Sequence, residues 1–172
     1  MKRIIAILGL ILITHTTFAQ QDPQYTHYMY NMNVVNPAYA TAKESVLDLG
    51  VLYRTQWVGA VGAPKTMTAF AHMPISKKIE MGVSVITDDI GDGAKKENNF
   101  YADFAYILQF EGSHRLSFGM KAGFTNLTTN FNGFQLESGN ASTDEAFNQN
   151  INAFKPSVGA GVYYFTDKYY VG

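Results

Sequence analysis

The chain has 172 residues, 14% of them aromatic and mostly Phe and Tyr, with 15 glycines, no cysteine and a formal charge of −1. That length suffices for one domain with a real core. The absence of cysteine excludes disulfides, thiolate metal centres and cysteine nucleophiles. The charge balance gives no electrostatic basis for binding nucleic acid.

Met1-Lys2-Arg3 is a positive start, Ile4 to Ile13 is an apolar run broken by Gly9, and Thr17-Phe18-Ala19 ends in a small residue. This is the pattern of a secretory signal, too short for a membrane helix. Residues 1–19 are expected to be removed, leaving a chain that begins near Gln20. Removal takes Lys2 and Arg3 from the 13 bases and nothing from the 14 acids, so the mature net charge is −3. No other run is long and apolar enough for a transmembrane helix. A secreted chain of this size without cysteine fits a bacterial envelope better than a disulfide-stapled extracellular domain.

Residues 20–44 read as an N-terminal periplasmic segment. Tyr25, Tyr28, Met29, Met32 and Val35 fall at three-to-four spacing, which predicts a short helix before Asn36 that Pro37 ends. Two placements stay open: docked on the periplasmic end of the following domain, or turned inward as a plug or partner dock.

From residue 45 the period changes to two. A first strand is predicted over about 46–55, with Leu47, Leu49, Val51 and Tyr53 on one face and Asp48, Gly50 and Arg54 on the other. Leu52 breaks that pattern. Trp57 follows at the strand end, where an indole suits a water–lipid boundary. A second strand over about 65–73 places Met67, Ala69, Ala71 and Met73 opposite Thr66, Thr68, Phe70 and His72. A third over about 79–87 alternates Ile79, Met81, Val83 and Val85 with Glu80, Gly82 and Ser84, and Ile86 is out of place. A fourth over about 99–110 sets Phe100, Ala102, Phe104, Tyr106 and Leu108 against Asp103, Ala105 and Gln109.

The fifth, about 115–125, is the most regular. Leu116, Phe118, Met120, Ala122 and Phe124 alternate with Arg115, Ser117, Gly119, Lys121, Gly123 and Thr125. A helix would scatter those apolar residues round its axis. The length matches the roughly 9–11 residues a tilted strand needs to cross a bilayer. A sixth strand is predicted over about 153–165, and a seventh begins at Tyr169.

The predicted connections, 56–64, 74–78, 88–98, 111–114, 126–152 and 166–168, run alternately long and short. Outer-membrane barrels have short periplasmic turns and longer outer loops in that rhythm. The reading is an all-β chain, an antiparallel transmembrane β-barrel of the outer-membrane type, with an apolar outside and a polar lumen over residues 45–172. A soluble periplasmic β-sandwich shares the alternation and stays as a competing fold. Six strands and the start of a seventh fall short of the roughly eight that close the smallest barrels. A partial barrel is therefore expected, from a truncated product or a piece of a longer one.

The same residues resemble the PorP/SprF family of Bacteroidetes outer-membrane proteins, associated with the type IX secretion system. The resemblance is carried by Gln21-Asp22-Pro23-Gln24-Tyr25, Tyr28-Met29-Tyr30-Asn31 and Asn36-Pro37-Ala38-Tyr39-Ala40. It continues in Tyr53-Arg54-Thr55-Gln56-Trp57-Val58-Gly59, in Leu116 to Gly123 and in Gly161 to Gly172. The Asn-Pro-Ala-Tyr and Arg-Thr-Gln-Trp pieces are the specific ones. Thr41 stands where the family usually has Gly, and the chain resembles the family's N-terminal half. The resemblance implies an outer-membrane barrel that docks or anchors secreted or surface proteins, including the adhesins of gliding bacteria, and periplasmic components of the secretion machine. A passive pore or solute-uptake barrel without protein partners is the alternative. Tyr25, Asn36, Pro37, Tyr39, Arg54 and Trp57 are the candidate partner-binding residues.

No catalytic constellation stands out, and no enzyme activity or cofactor is expected. His15 leaves with the signal, and His27, His72 and His114 fall in different elements without metal-ligand spacing. Asp88-Asp89-Ile90-Gly91-Asp92-Gly93 lacks the spacing and terminal Glu of a calcium loop and reads as a solvated outer loop. Glu80, Asp103, Arg115 and Lys121 are expected to form ion pairs in the lumen. Arg54 reads either as a lumen arginine paired with an acid or, with Trp57, as part of a rim that anchors the next loop against a secreted partner.

Overall fold

A computed structural model of the chain describes residues 26–41, 46–130 and 150–172, with two further short strands between the last two spans. The main body is one antiparallel sheet of seven strands: β1 (Asp48–Thr55), β2 (Lys65–Ser76), β3 (Ile79–Ile90), β4 (Lys95–Gln109), β5 (Arg115–Thr129), β8 (Asn152–Phe165) and β9 (Tyr170–Val171). Each strand pairs with the next in that order. β6 (Gln135–Leu136) and β7 (Gly139–Asn140) form a separate two-stranded ladder. A 3-10 turn, Tyr28–Tyr30, and a single helical turn, α1 (Met32–Val35), precede the sheet. No helix among the described residues is long and apolar enough to cross a membrane.

The sheet is strongly curled. β2 and β8 are four strands apart, about 19 Å in a flat sheet at the usual interstrand spacing. Yet the Tyr39 ring lies 5.8 Å from the His72 ring on β2 and 5.7 Å from the Tyr163 ring on β8. Those rings are thus at most about 11.5 Å apart, and the sheet wraps the residue between them as a half-barrel with β1 and β9 at its edges.

The two faces are sorted as the alternation predicts, with the apolar face outside. Val51, Ala69, Val85, Phe100, Phe124 and Pro156 align in one outward row across six strands. In and beside that row Phe100, Phe124 and Phe154 stack with centroids 4.9 and 4.8 Å apart. Toward the 56–64 loop the outward face turns polar at the row Thr55, Lys65, Asp89, Lys96, Thr128 and Asn152. The concave face buries Thr66, Thr68, His72, Glu80, Ser84, Asn99, Asp103 and Ser117. A water-soluble fold buries its apolar face; this one exposes it and buries the polar one, the sorting expected where hydrocarbon is the outer solvent.

The two residues that broke the alternation, Leu52 and Ile86, lie in the same inward row, both aligned with Thr68. They put an apolar floor on the concave face. Ile107, also inward, joins Ala38, Ala40, Tyr163 and Phe165 in an apolar cluster on that side.

The strands run past the predicted boundaries, and the long–short rhythm weakens as a result. The polar stretch 88–98, expected as a loop, is mostly strand: Thr87 pairs with Asn98, Asp88 with Glu97, Asp89 with Lys96 and Ile90 with Lys95, leaving a turn over 91–94. Beyond the bilayer a strand need not be apolar, and cross-strand polar pairs hold it instead. Thr87 Oγ1 bonds Asn98 Oδ1 at 3.0 Å, and Thr66 Oγ1 bonds Asp88 Oδ1 at 2.6 Å. β5 likewise extends to Thr129, and β2 to Ser76. The turns 77–78, 110–114 and 166–169 stay short at one end, while 56–64 and the segment between β5 and β8 are long at the other.

Candidate functional site

The N-terminal segment supplies the site. The helix predicted from the three-to-four spacing is broken at Asn31 into the 3-10 turn and α1, and Pro37 stops it as expected. Residues 31–41 lie against the concave face. Asn31, Asn33, Val34, Ala38 and Ala40 are buried there.

The Asn-Pro-Ala-Tyr motif is a β-turn with proline at its second position. Tyr39 N donates to Asn36 O at 3.0 Å, and Ala38 N donates to Asn36 Oδ1 at 2.9 Å, an Asx turn that preorganises the loop. The same side chain ties the turn to the wall, as Asn36 Nδ2 donates to Val162 O at 3.1 Å. The wall fits the turn by having no side chains beneath it. A Cβ on Gly119 would overlap the Pro37 carbonyl carbon and the Ala38 nitrogen, and a Cβ on Gly161 would overlap Asn36 Oδ1. Gly119 and Gly161 are register partners on β5 and β8, so together they form a flat seat.

Two ionic clusters flank that seat. Lys121 Nζ donates to Val34 O at 2.7 Å and to Asn33 O at 3.1 Å, carbonyls that α1 is too short to satisfy itself. The ammonium also lies 3.5 Å from Asp103 Oδ1 and 5.1 Å from the centre of the Tyr101 ring. On the other flank the Glu80 carboxylate, fully buried, accepts from Thr41 N at 2.9 Å and faces His72 Nε2 at 3.4 Å. Tyr39 fills the space between, its ring edge-on to Tyr163. Lumen pairing expected of Asp103 and Lys121 is therefore present. Arg115 pairs instead with Asp167 of the β8–β9 turn at 3.5 Å.

Asn36, Pro37 and Tyr39 thus lie together, against the chain's own sheet. Tyr25 falls outside the described residues. Arg54 points to the concave side, and its guanidinium donates to Gln56 Oε1 at 2.6 Å once that amide is oriented to accept it. It lines a crevice of about 40 Å³ with His27, Tyr28 and Asn31. Trp57 belongs to the rim, not to this seat. It is 72% exposed, with φ 47°, and its carbonyl accepts from Ala60 N at 2.9 Å. Gly62 of the same loop is clasped by the β3–β4 turn: Gly91 N donates to Gly62 O at 2.9 Å, and Asp92 pairs with Lys65 at 3.0 Å. The seat glycines were not among the sequence candidates, although a glycine at every second place of one strand face signals close backbone approach.

Among the described residues no group of three or more His, Asp or Glu is placed to hold a metal ion. Neither curated proteins nor solved structures give a match. A family model does: type IX secretion system membrane protein PorP/SprF, matched over residues 17–172. The family is a secretion membrane component rather than an enzyme family. With the inverted sorting of its sheet faces and a match over nearly its whole length, the chain belongs to the PorP/SprF family of type IX secretion system membrane proteins.

Proposed function

We propose that this protein is an outer-membrane component of type IX secretion that docks or anchors other proteins and carries out no chemistry of its own. The observation that carries this reading is the occupied concave face. A conduit needs a clear, wet lumen, whereas here a polypeptide segment is seated in it by two side chains of the wall, Glu80 and Lys121, and by the Val162 carbonyl of β8. With the lumen side filled, recognition falls to the rims. The long connections face outward, where the 56–64 loop presents Trp57 near the Arg54 end of β1. The short turns face the periplasm, while Asn36, Pro37 and Tyr39 are seated inside the concave face. Secreted or surface proteins, adhesins of gliding among them, are the outer partners, and periplasmic components of the machine are the inner ones.

The competing reading is a passive pore. It draws on the charges of the concave face and on a space of about 460 Å³ between Val34–Pro37 and β4, β5 and β8. One experiment separates the two. The natural product is extracted from outer membranes in mild detergent, pulled down, and its companions identified by mass spectrometry. Docking predicts a large surface protein or periplasmic secretion components, lost on Arg54→Ala with Trp57→Ala while heat-modifiable folding persists. Recovery of the barrel alone, with conductance in planar bilayers, would establish the pore instead.

A further inference from the structure

We propose that the concave face is a peptide-binding groove and that residues 31–41 are an exchangeable ligand supplied in cis. The groups that hold the segment all belong to strands, and most of them read its backbone. Glu80 accepts from the Thr41 backbone N–H, Lys121 donates to the Asn33 and Val34 carbonyls, and the Val162 carbonyl accepts from the Asn36 side-chain amide, the one side chain read by a hydrogen bond of this set. Gly119 and Gly161 clear the floor for a passing main chain. These are the features of a receptor for a turn-forming polypeptide.

The interstrand pairing of the sheet does not depend on its occupant. Continuous registers join β2, β3, β4, β5 and β8, and the segment contributes no strand to them. Removing it breaks no interstrand hydrogen bond. The fit is also not fully reciprocal in hydrogen bonds, since the buried Asn33 Nδ2 and His72 Nδ1 have no hydrogen-bonding partner among the described protein groups. A segment held by a few strong polar contacts over an imperfectly satisfied floor is suited to exchange. The ligand class is a polypeptide stretch that can form an Asn-Pro turn flanked by free backbone amide and carbonyl groups.

The chain's lack of cysteine makes a disulfide test unambiguous. A Cβ on Gly161 lies 3.2 Å from Asn36 Cγ, which puts the two β-carbons near the roughly 3.5–4.5 Å a disulfide spans. The full-length protein with Asn36→Cys and Gly161→Cys should lock internally on oxidation. The protein with Gly161→Cys and Asn36→Ala, whose resident segment clears the new β-carbon but carries no thiol, is then oxidised with a synthetic peptide of residues 31–41 carrying Asn36→Cys. Exchange predicts a mass increase of one peptide, not given by a scrambled peptide with the same cysteine. Gly119→Ala, whose methyl group occupies the seat, should abolish the adduct in protein that still shows heat-modifiable folding. An internal lock without any adduct in trans would make the segment a fixed part of the fold and overturn the proposal. Failure of the internal lock would remove the seat itself, and equal labelling by the scrambled peptide would remove its selectivity.

Discussion

Lys121 does two jobs with one ammonium: it neutralises Asp103 and caps the last carbonyls of α1. Both partners of the ion pair are largely buried, with side-chain exposures of 11% and 3%. Removing one member of such a pair strands the other charge, at a cost of about 3–5 kcal/mol, whereas replacing both by apolar groups is often neutral. Lys121→Met should therefore destabilise the protein by that amount in denaturant titrations in lipid vesicles, and adding Asp103→Leu should restore most of it. A double variant no more stable than the single one would show that the pair is not what the lysine contributes. The sequence made this pairing legible, since both charges fall on the inward face of adjacent predicted strands. It did not make Lys121's second role legible, because that depends on where a segment 87 residues away comes to rest. Asn36 was visible only as part of a motif. Its turn geometry follows from Asn-Pro, but its bond to Val162 requires the curl of the sheet.

The strands were legible in type, because alternation over ten or more residues has no helical counterpart. Their ends were not. The stretch from Asp88 to Asn98 looks like a loop by composition, yet the register pairing of Asp89 with Lys96 and the Thr87–Asn98 bond continue the ladder through it. That extension brings the β3–β4 turn against the 56–64 loop and creates the Asp92 clasp. The Lys65 ammonium, by hydrogen bond and charge, holds the Asp92 carboxyl below the usual carboxylate range, with a smaller contribution from the Gly62 N–H. A depressed folded-state pKa stabilises above the unfolded value, and that stabilisation is lost as pH falls through the folded one. The clasp should thus hold at about pH 7 and loosen below about pH 4. Hydrogen exchange at Gly91 N–H, corrected for the intrinsic rate, should be slow at the higher pH and faster at the lower. Asp92→Asn should be fast at both, and a Gly91 amide indifferent to pH and to that substitution would show that the backbone bond to Gly62 suffices alone.

At the scale of the molecule, the sorting of faces decides between a barrel wall in lipid and a soluble sandwich, which alternation by itself could not do. A sandwich would lay a second layer on Leu116, Phe118, Met120, Ala122 and Phe124. Here the layer that arrives, residues 31–41, covers the polar face instead, leaving Met120 68% exposed. From Leu116 to Phe124 the strand rises about 27 Å at about 3.4 Å per residue, or about 21 Å along the membrane normal at a tilt of about 40°. That is close to the roughly 25 Å apolar band of outer-membrane barrels, and Met120 sits at its middle. The consequence is a substitution whose cost depends on the solvent assumed. In water, an arginine at so exposed a place would change stability by no more than about 0.5 kcal/mol. At the centre of a bilayer it costs about 2–4 kcal/mol. Met120→Arg should show the larger loss in denaturant titrations of protein folded into vesicles, and Met120→Leu should not. Lys155, whose partner Thr125 bonds Asn99 on the concave side, lies on the opposite face, where the same wall already carries a cation. Tolerance of a cation at 120 as at 155 would mean that lipid does not cover the aromatic face, and that something other than a membrane accounts for a sheet turned inside out.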